Sequence, residues 1–385
     1  MPDEQFPAEN SPARRIVEHR PIAFVADRQI PPSPPPAATT GVVGWLRQNL
    51  FSSWLNGLLT LVAGYVVFRL LAVVVPWLFL NSTWEASSLS ECRALDTGAC
   101  LAVINERFGQ FIYGFYPSEL RWRPNLAFVL LLVALAPVLF DRVPRKLLWF
   151  SIVYPFIAYV LLWGGFGLRP VGSEQFGGFL LTMIIGVTGI AGSLPIGILL
   201  ALGRQSDMPF IKAMCVGFIE FIRGVPLITL LFVASTLLNY FLPPGTNFDI
   251  IMRVLIMVTL FASAYMAEVI RGGLAALPKG QYEAADALGF DYWKSMRLVI
   301  LPQALKISIP GIVNTFIGLF KDTTLVAIIG LLDPLGITNP IRADTNWNGI
   351  VWELYGFVAL FFFICCFSMS RYSMYLERKL QTGHR

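Results

Sequence analysis

RGGLAALPKGQYEAADALGFDYWKSMRLVILPQALK, residues 271–306, is a polar, charged, helix-forming stretch set between two strongly apolar ones. Within it, residues 281–288 predict a helix about 12 Å long at 1.5 Å per residue. Tyr282, Ala285 and Leu288 fall three apart on one face, and Glu283 and Asp286 mark a polar one. Gly289 stands where a helix ends in the left-handed conformation, which glycine adopts without a Cβ clash. Asp291 is placed to cap a second helix, and Pro302 to close the passage. Two short amphipathic helices meeting at a bend have an apolar face and no core, so the stretch needs something to cover it.

Its surroundings are hydrocarbon-like. Apolar residues make up 56% of the 385-residue chain and charged ones 14%, which excludes an ordinary soluble protein and predicts an all-α integral membrane protein. Runs long enough to cross about 30 Å of hydrocarbon fall at 54–80, 124–140, 147–167, 178–202, 210–241, 250–270, 308–330 and 349–370, eight spans in all. Residues 1–42, with IPPSPPPAATT, predict a disordered tail. Residues 372–385 form a second tail. With both tails inside, cytoplasmic segments hold nineteen Lys and Arg and outer loops six, as the positive-inside rule requires. The net charge of +5 is then a matter of sidedness, not a nucleic-acid footprint. Residues 271–306 fall in the cytoplasm and residues 81–123 outside.

Several chemistries are not expected. The two histidines, His19 and His384, sit in the tails, and three of the five cysteines lie singly or paired in apolar runs, so no metal cluster or catalytic set is predicted. No GxxxxGK[ST] phosphate loop occurs, so the chain itself is expected to bind no ATP and no other cofactor.

The spacing in the opening stretch is specific. Glu283-Ala284-Ala285, three residues, Gly289, nine residues, Val299, one residue, Leu301-Pro302 resembles the EAA loop of ABC-importer permeases. Val299 departs from the usual isoleucine by one methylene. The flanks AYMAEVIRGG (264–273) and PKGQ (278–281) resemble the polar amino-acid branch. Residues 178–371 correspond to a whole five-span permease of that kind. The enlarged part before them, three spans with the 81–123 loop within 43–177, is similar to the M-type subunit of bacterial general L-amino-acid ABC transporters. The resemblance implies a permease of the bacterial inner membrane that carries L-amino acids. It implies that Glu283, Ala284, Ala285, Gly289, Leu301 and Pro302 couple it to a separate ATPase dimer, which uses ATP and Mg. A second related permease, a periplasmic amino-acid-binding protein and membrane lipid complete the implied partners. An ion-coupled secondary amino-acid carrier is the rival reading, but it leaves the loop without a role.

Ionisable residues inside spans point to a pathway, since each must be paired or wetted. Glu220 and Arg223 are helix neighbours that either neutralise one another or meet a ligand, ahead of a break at Gly224 and Pro226. Lys321 and Asp322 offer a cation and an anion to an amino acid's two charges, with Asn314 on the Lys321 face and Thr315 beside it; mutual neutralisation is the competing reading. Family resemblance places the substrate on the same span. Gly186, Gly189, Gly192 and Gly197 mark close helix packing. In the outer loop, Phe108, Phe111, Ile112 and Phe115 recur at helical spacing, for a helix lying on the membrane or packed under the first two spans. Cys92 and Cys100 share that loop, where an oxidising periplasm permits a disulfide; two unrelated thiols are the other reading.

Overall fold

A computed structural model describes residues 41–95, 98–140, 142–237, 240 and 248–381, in two units divided between Val73 and Val74. The tail expected over residues 1–42 lies, apart from its last two residues, outside the described residues. The first unit holds α1 (Gly41–Asn49) and all but the last two residues of α2 (Trp54–Val75). Ser53 Oγ accepts the Asn56 amide at 3.2 Å, which caps the start of α2.

The second unit carries α3 (Leu89–Leu95), α4 (Ala102–Tyr113), α5 (Trp122–Leu139) and α6 (Leu148–Trp163). It continues with α7 (Gly178–Gln205), α8 (Pro209–Gly224), α9 (Leu227–Phe232) and α10 (Ile250–Ala275). The 271–306 stretch holds α11 (Lys279–Ala287), α12 (Tyr292–Ser295) and the start of α13 (Leu301–Asp322), and α14 (Thr338–Ala343) and α15 (Trp352–Gln381) follow. The described residues form no strand, only isolated bridges. The last helix runs ten residues beyond the expected end at 371, into the segment read as a tail.

At the centre, α7 and α10 cross on glycine. A Cβ at Gly192 would lie 2.7 Å from Thr259 Cγ2, and one at Gly197 the same distance from Met266 Cβ. Gly186 and Gly189 likewise seat Phe320 and Leu319 of α13. Without a strong hydrophobic drive inside lipid, such backbone approach supplies the dispersion contact that holds helices together. Beside this core, α5 and α6 pair as a hairpin: Ser151 Oγ donates to the Ala134 carbonyl at 2.6 Å and Tyr154 OH to that of Ala127 at 3.0 Å. Tyr372 OH on α15 donates to Leu139 O at the end of α5.

Seven helices among the described residues are long and apolar enough to span a membrane. The fifth expected span, 210–241, is broken: α8 and the helix Leu227–Leu237 meet at 103°. Pro226 has no amide to continue the ladder and holds Val225 extended, so the chain turns there. The bundle has two ends. The proximal end carries residues 271–306, and the distal end carries residues 81–123.

The aromatic helix of the distal end has two sides. Tyr113 at the end of α4 donates its hydroxyl to Asn125 Oδ1 of α5 at 2.6 Å, in line with packing against the second span, while its opposite side meets the last helix. Phe111 is fully buried and meets Phe357 of α15 edge-on at 5.0 Å, in a cluster with Phe179, Ile337, Trp347 and Leu354. Phe108 and Phe115 stay exposed. Arg107 pairs with Asp344, and the Leu89 amide donates to Asn346 O at 2.8 Å. Gly178 closes the junction. Its φ is +57°, its amide donates to Leu332 O at 2.7 Å, and a side chain there would strike the Phe111 carbonyl.

Cys92 and Cys100 are joined in a disulfide with Cα atoms 5.8 Å apart, and the Cys100 amide donates to Glu353 Oε1 at 3.2 Å. Closing so small a ring removes roughly 2–3 kcal/mol of unfolded-chain entropy at most. The double variant Cys92→Ser/Cys100→Ser is therefore expected to lose amide-exchange protection over residues 81–123 and near Glu353, with α10 unchanged. Uniform loss along the chain would contradict a local clamp.

Asp333 sits fully buried in the turn beyond α13, accepting the Gly336 amide at 2.8 Å and that of Leu335 at 3.2 Å. Burial pushes its carboxyl from the ordinary 3.8 up to about 6, against the pull of those amides. Because the folded chain holds this proton more tightly than the unfolded one, stability rises as pH falls from about 6 towards 4. Above that window the cost of the buried charge is fully present. Asp333→Asn is expected to flatten this part of the melting profile; an unchanged slope would assign it to other groups.

Candidate functional site

The proximal loop is built on the ends of two long helices. α11 (Lys279–Ala287) starts two residues after Leu277, and the chain turns away from its end at Gly289, whose φ is +70°. Asp291 then caps α12 (Tyr292–Ser295) by accepting the Lys294 amide at 2.9 Å. A widened turn, Met296–Ile300, runs straight into α13. Pro302 thus lies in the first turn of a continuing helix and does not close the passage as expected, because the wide turn absorbs its missing amide. Gln303 Nε2 donates to Val299 O at 3.0 Å and to Gln281 Oε1 at 2.9 Å, which ties the start of α13 to α11.

The expected apolar face divides. Ala285 is buried, and Tyr282 is half-buried over Leu274, Leu277, Met296, Ile300 and Ala304, so this chain covers both itself. Leu288 is 70% exposed, with Trp293 at 67% and Leu298 at 61%. Glu283, Ala284, Ala287 and Gly289 are exposed too. The loop therefore offers apolar side chains and the carboxylates of Glu283 and Asp286 from a rigid mount, with Leu301 half-buried and Pro302 exposed behind them.

Five charges gather at the same end. Arg204, in the last turn of α7, meets Glu220 of α8 at 2.8 Å and Glu268 of α10 at 2.9 Å. Arg271 grips Glu268 at 3.1 Å, and Arg223 lies 3.7 Å from Glu268 and 4.0 Å from Glu220. Arg223 also stacks over Tyr265, 5.7 Å from the ring centroid. For Glu220 to reach Arg204, α8 crosses the end of α7 and does not run back alongside it. Glu220 and Arg223 do not simply neutralise one another, since each has a nearer partner. Glu268, the best buried carboxylate of the set with 17% side-chain exposure, was missed in the sequence. Its signal was there: an acid in an apolar run, three residues before Arg271.

Residues 193–382 match the family described as binding-protein-dependent transport system inner membrane component. The glutamate/glutamine/aspartate/asparagine transport system permease protein BztC of Rhodobacter capsulatus is 53% identical over 94% of this chain and 99% of its own length. The chain belongs to this family of inner membrane permeases. The inner membrane amino-acid ABC transporter permease protein YhdY of Escherichia coli K12 is 50% identical over 92% of this chain and 97% of its own. The solved structure of an amino acid ABC transporter with histidines is 30% identical, covers 52% of this chain and 91% of that one, and aligns with a TM-score of 0.47.

In this permease the other pathway candidates stand apart from the charge cluster. Asn314 and Lys321 are exposed on α13, and Thr315 and Asp322 are half-buried. Thr315 donates to the Gly311 carbonyl at 2.9 Å, a bond internal to the helix. No ion pair joins Lys321 to Asp322 among the described residues. Because α13 starts at Leu301 and not at 308, Lys321 lies about 30 Å along it at 1.5 Å per residue, close to its distal end. A further buried cation, Arg253 in the first turns of α10, escaped the sequence reading; it donates to the Ala234 and Ser235 carbonyls at the end of the broken span.

Proposed function

We propose that this chain is the permease subunit of an ATP-driven importer that carries acidic amino acids and their amides across the bacterial inner membrane. The carrying observation is the loop at residues 279–302, which presents Leu288, Trp293 and Leu298 outward from a mount fixed on α10 and α13. An ATPase dimer fits that surface, with Glu283, Ala284, Ala285, Gly289, Leu301 and Pro302 forming or supporting it. ATP and Mg are held there, not in this chain. The loop and both termini face the cytoplasm. A second permease pairs with this one, and a binding protein delivers substrate at the distal end. The substrate class is supported by the name of the relative from Rhodobacter capsulatus. The route runs along α13, where Asn314 and Lys321 share an exposed face and Thr315 and Asp322 flank it.

The test is uptake of labelled glutamate and glutamine in cells carrying the transport complex. Uptake is expected to persist when the membrane potential is collapsed with ATP maintained, and to stop when ATP is depleted. The opposite pattern would establish an ion-coupled carrier. Glu283→Lys is expected to reduce the ATPase recovered with the purified chain.

A further inference from the structure

We propose that Glu268 is the positioning residue that ties the break between α8 and α9 to the coupling loop, so that loop movement reaches the pathway through one ion cluster. This rests on the permease reading above. On one side of Glu268 lies the loop mount. α10 ends at Ala275, four residues before α11 begins, and Leu274 O accepts the Tyr282 hydroxyl at 3.5 Å. Gly273, in the same turn, is pressed against the Ala304 backbone of α13. A shift of α11 therefore moves the turn holding Arg271, and Arg271 reaches Glu268 through both Nε and Nη2, at 3.1 to 3.2 Å.

On the other side lies the break. Arg223 is three residues before Pro226, where the chain turns through 103°. Ile219 and Ile222 anchor α8 on buried residues of α10, among them Ala264, Met266 and Ile270. The charges between the two sides have one centre. All three guanidinium groups touch Glu268, two also touch Glu220, and Arg271 has no other ion pair among the described residues. Removing the Glu268 charge leaves three cations facing one carboxylate that is 54% exposed. Like charges then repel across the junction of α7, α8 and α10, and the loop loses its grip on the break. Glu268 acts by holding Arg204 and Arg223 in register with Arg271, not by touching substrate.

The experiment uses the full complex with its ATPase in proteoliposomes, reading glutamate uptake and ATP hydrolysis together. Glu268→Gln keeps the shape and removes the charge. Uptake is expected to fall about tenfold while hydrolysis stays within about twofold of wild type and no longer responds to substrate. Arg271→Lys, which keeps the charge but loses the fork, is expected to lower the uptake-to-hydrolysis ratio two- to threefold, and Glu220→Gln to change it less than twofold. A ratio unchanged in both Glu268→Gln and Arg271→Lys overturns the proposal, whether the two activities stay or fall in parallel. A wild-type chain that recruits no ATPase overturns instead the permease reading beneath it.

Discussion

Gly289→Val is expected to reduce uptake about tenfold or more while leaving the amount of chain in the membrane unchanged. Gly289 holds a φ of +70°, and no atom lies within 4 Å of a Cβ built there. The space is open, so the cost is purely conformational: the left-handed region costs a residue with a side chain roughly 1–2 kcal/mol, and more for a β-branched one. Every 1.4 kcal/mol is a factor of about ten in a binding equilibrium. The loop can escape the strain only by re-aiming α11 relative to α12, which spoils the exposed surface of Leu288 and Trp293. Gly289→Asn separates this from a loss of flexibility, because asparagine tolerates the same region. Near-normal uptake with asparagine and strong loss with valine is the expected pair. Wild-type transport by the valine variant would remove the bend from the mechanism.

Gly197→Leu is expected to act on the fold itself. A Cβ there would lie 2.7 Å from Met266 Cβ and Cγ and 3.2 Å from the Ala267 amide nitrogen. The obstacle is the root of a side chain and a backbone atom, so α7 and α10 must separate. Overpacking of this kind typically costs about 1–3 kcal/mol, and at 2–4 °C per kcal/mol the melting midpoint should fall by roughly 2–12 °C. Gly217 on α8 is the control: it is exposed, nothing lies within 4 Å of its Cβ position, and alanine there should be neutral or gain up to about 1 kcal/mol. Equal effects at the two sites would mean that glycine spacing on α7 does not set the helix approach.

The elements written most legibly in the sequence are those whose signal is local. Gly289 and Asp291 act through their own backbone and nearest amides, and both behave as the residue types require. The glycines of α7 were legible for the same reason, since an absent side chain in an apolar run has few other uses. Less legible was anything decided by what packs opposite. Leu288 shares the spacing of Tyr282 and Ala285, yet only the latter two are covered, Tyr282 by Leu274 of α10 and Ala304 of α13 among others. Phe111 reads as a membrane-surface residue until Phe357 and Trp347 arrive from the other end of the chain. The span at 210–241 looked continuous by hydropathy because a bend between two apolar helices leaves hydropathy unchanged. Pro226 marked the break, and Arg204 shows where the first half goes. The pairing of Glu220 with Arg204, sixteen residues upstream on another helix, has no period to betray it.

The distal junction also orders events during synthesis. The Cys100 amide is bonded to a side chain 253 positions later, and Leu89 to the backbone of Asn346. The second contact must wait for residue 346 and the first for the opening turn of α15. At about 5–20 residues per second, the ribosome needs roughly 13–50 s to make the intervening chain. Through that interval the 81–123 segment has its own short disulfide to hold it but not Phe357, Trp347 or Glu353 to cover it. The segment made early is thus completed by the segment made last, and a chain truncated before α15 leaves Phe111 without the Phe357 ring that covers it, a site for the proteases that remove unfinished proteins.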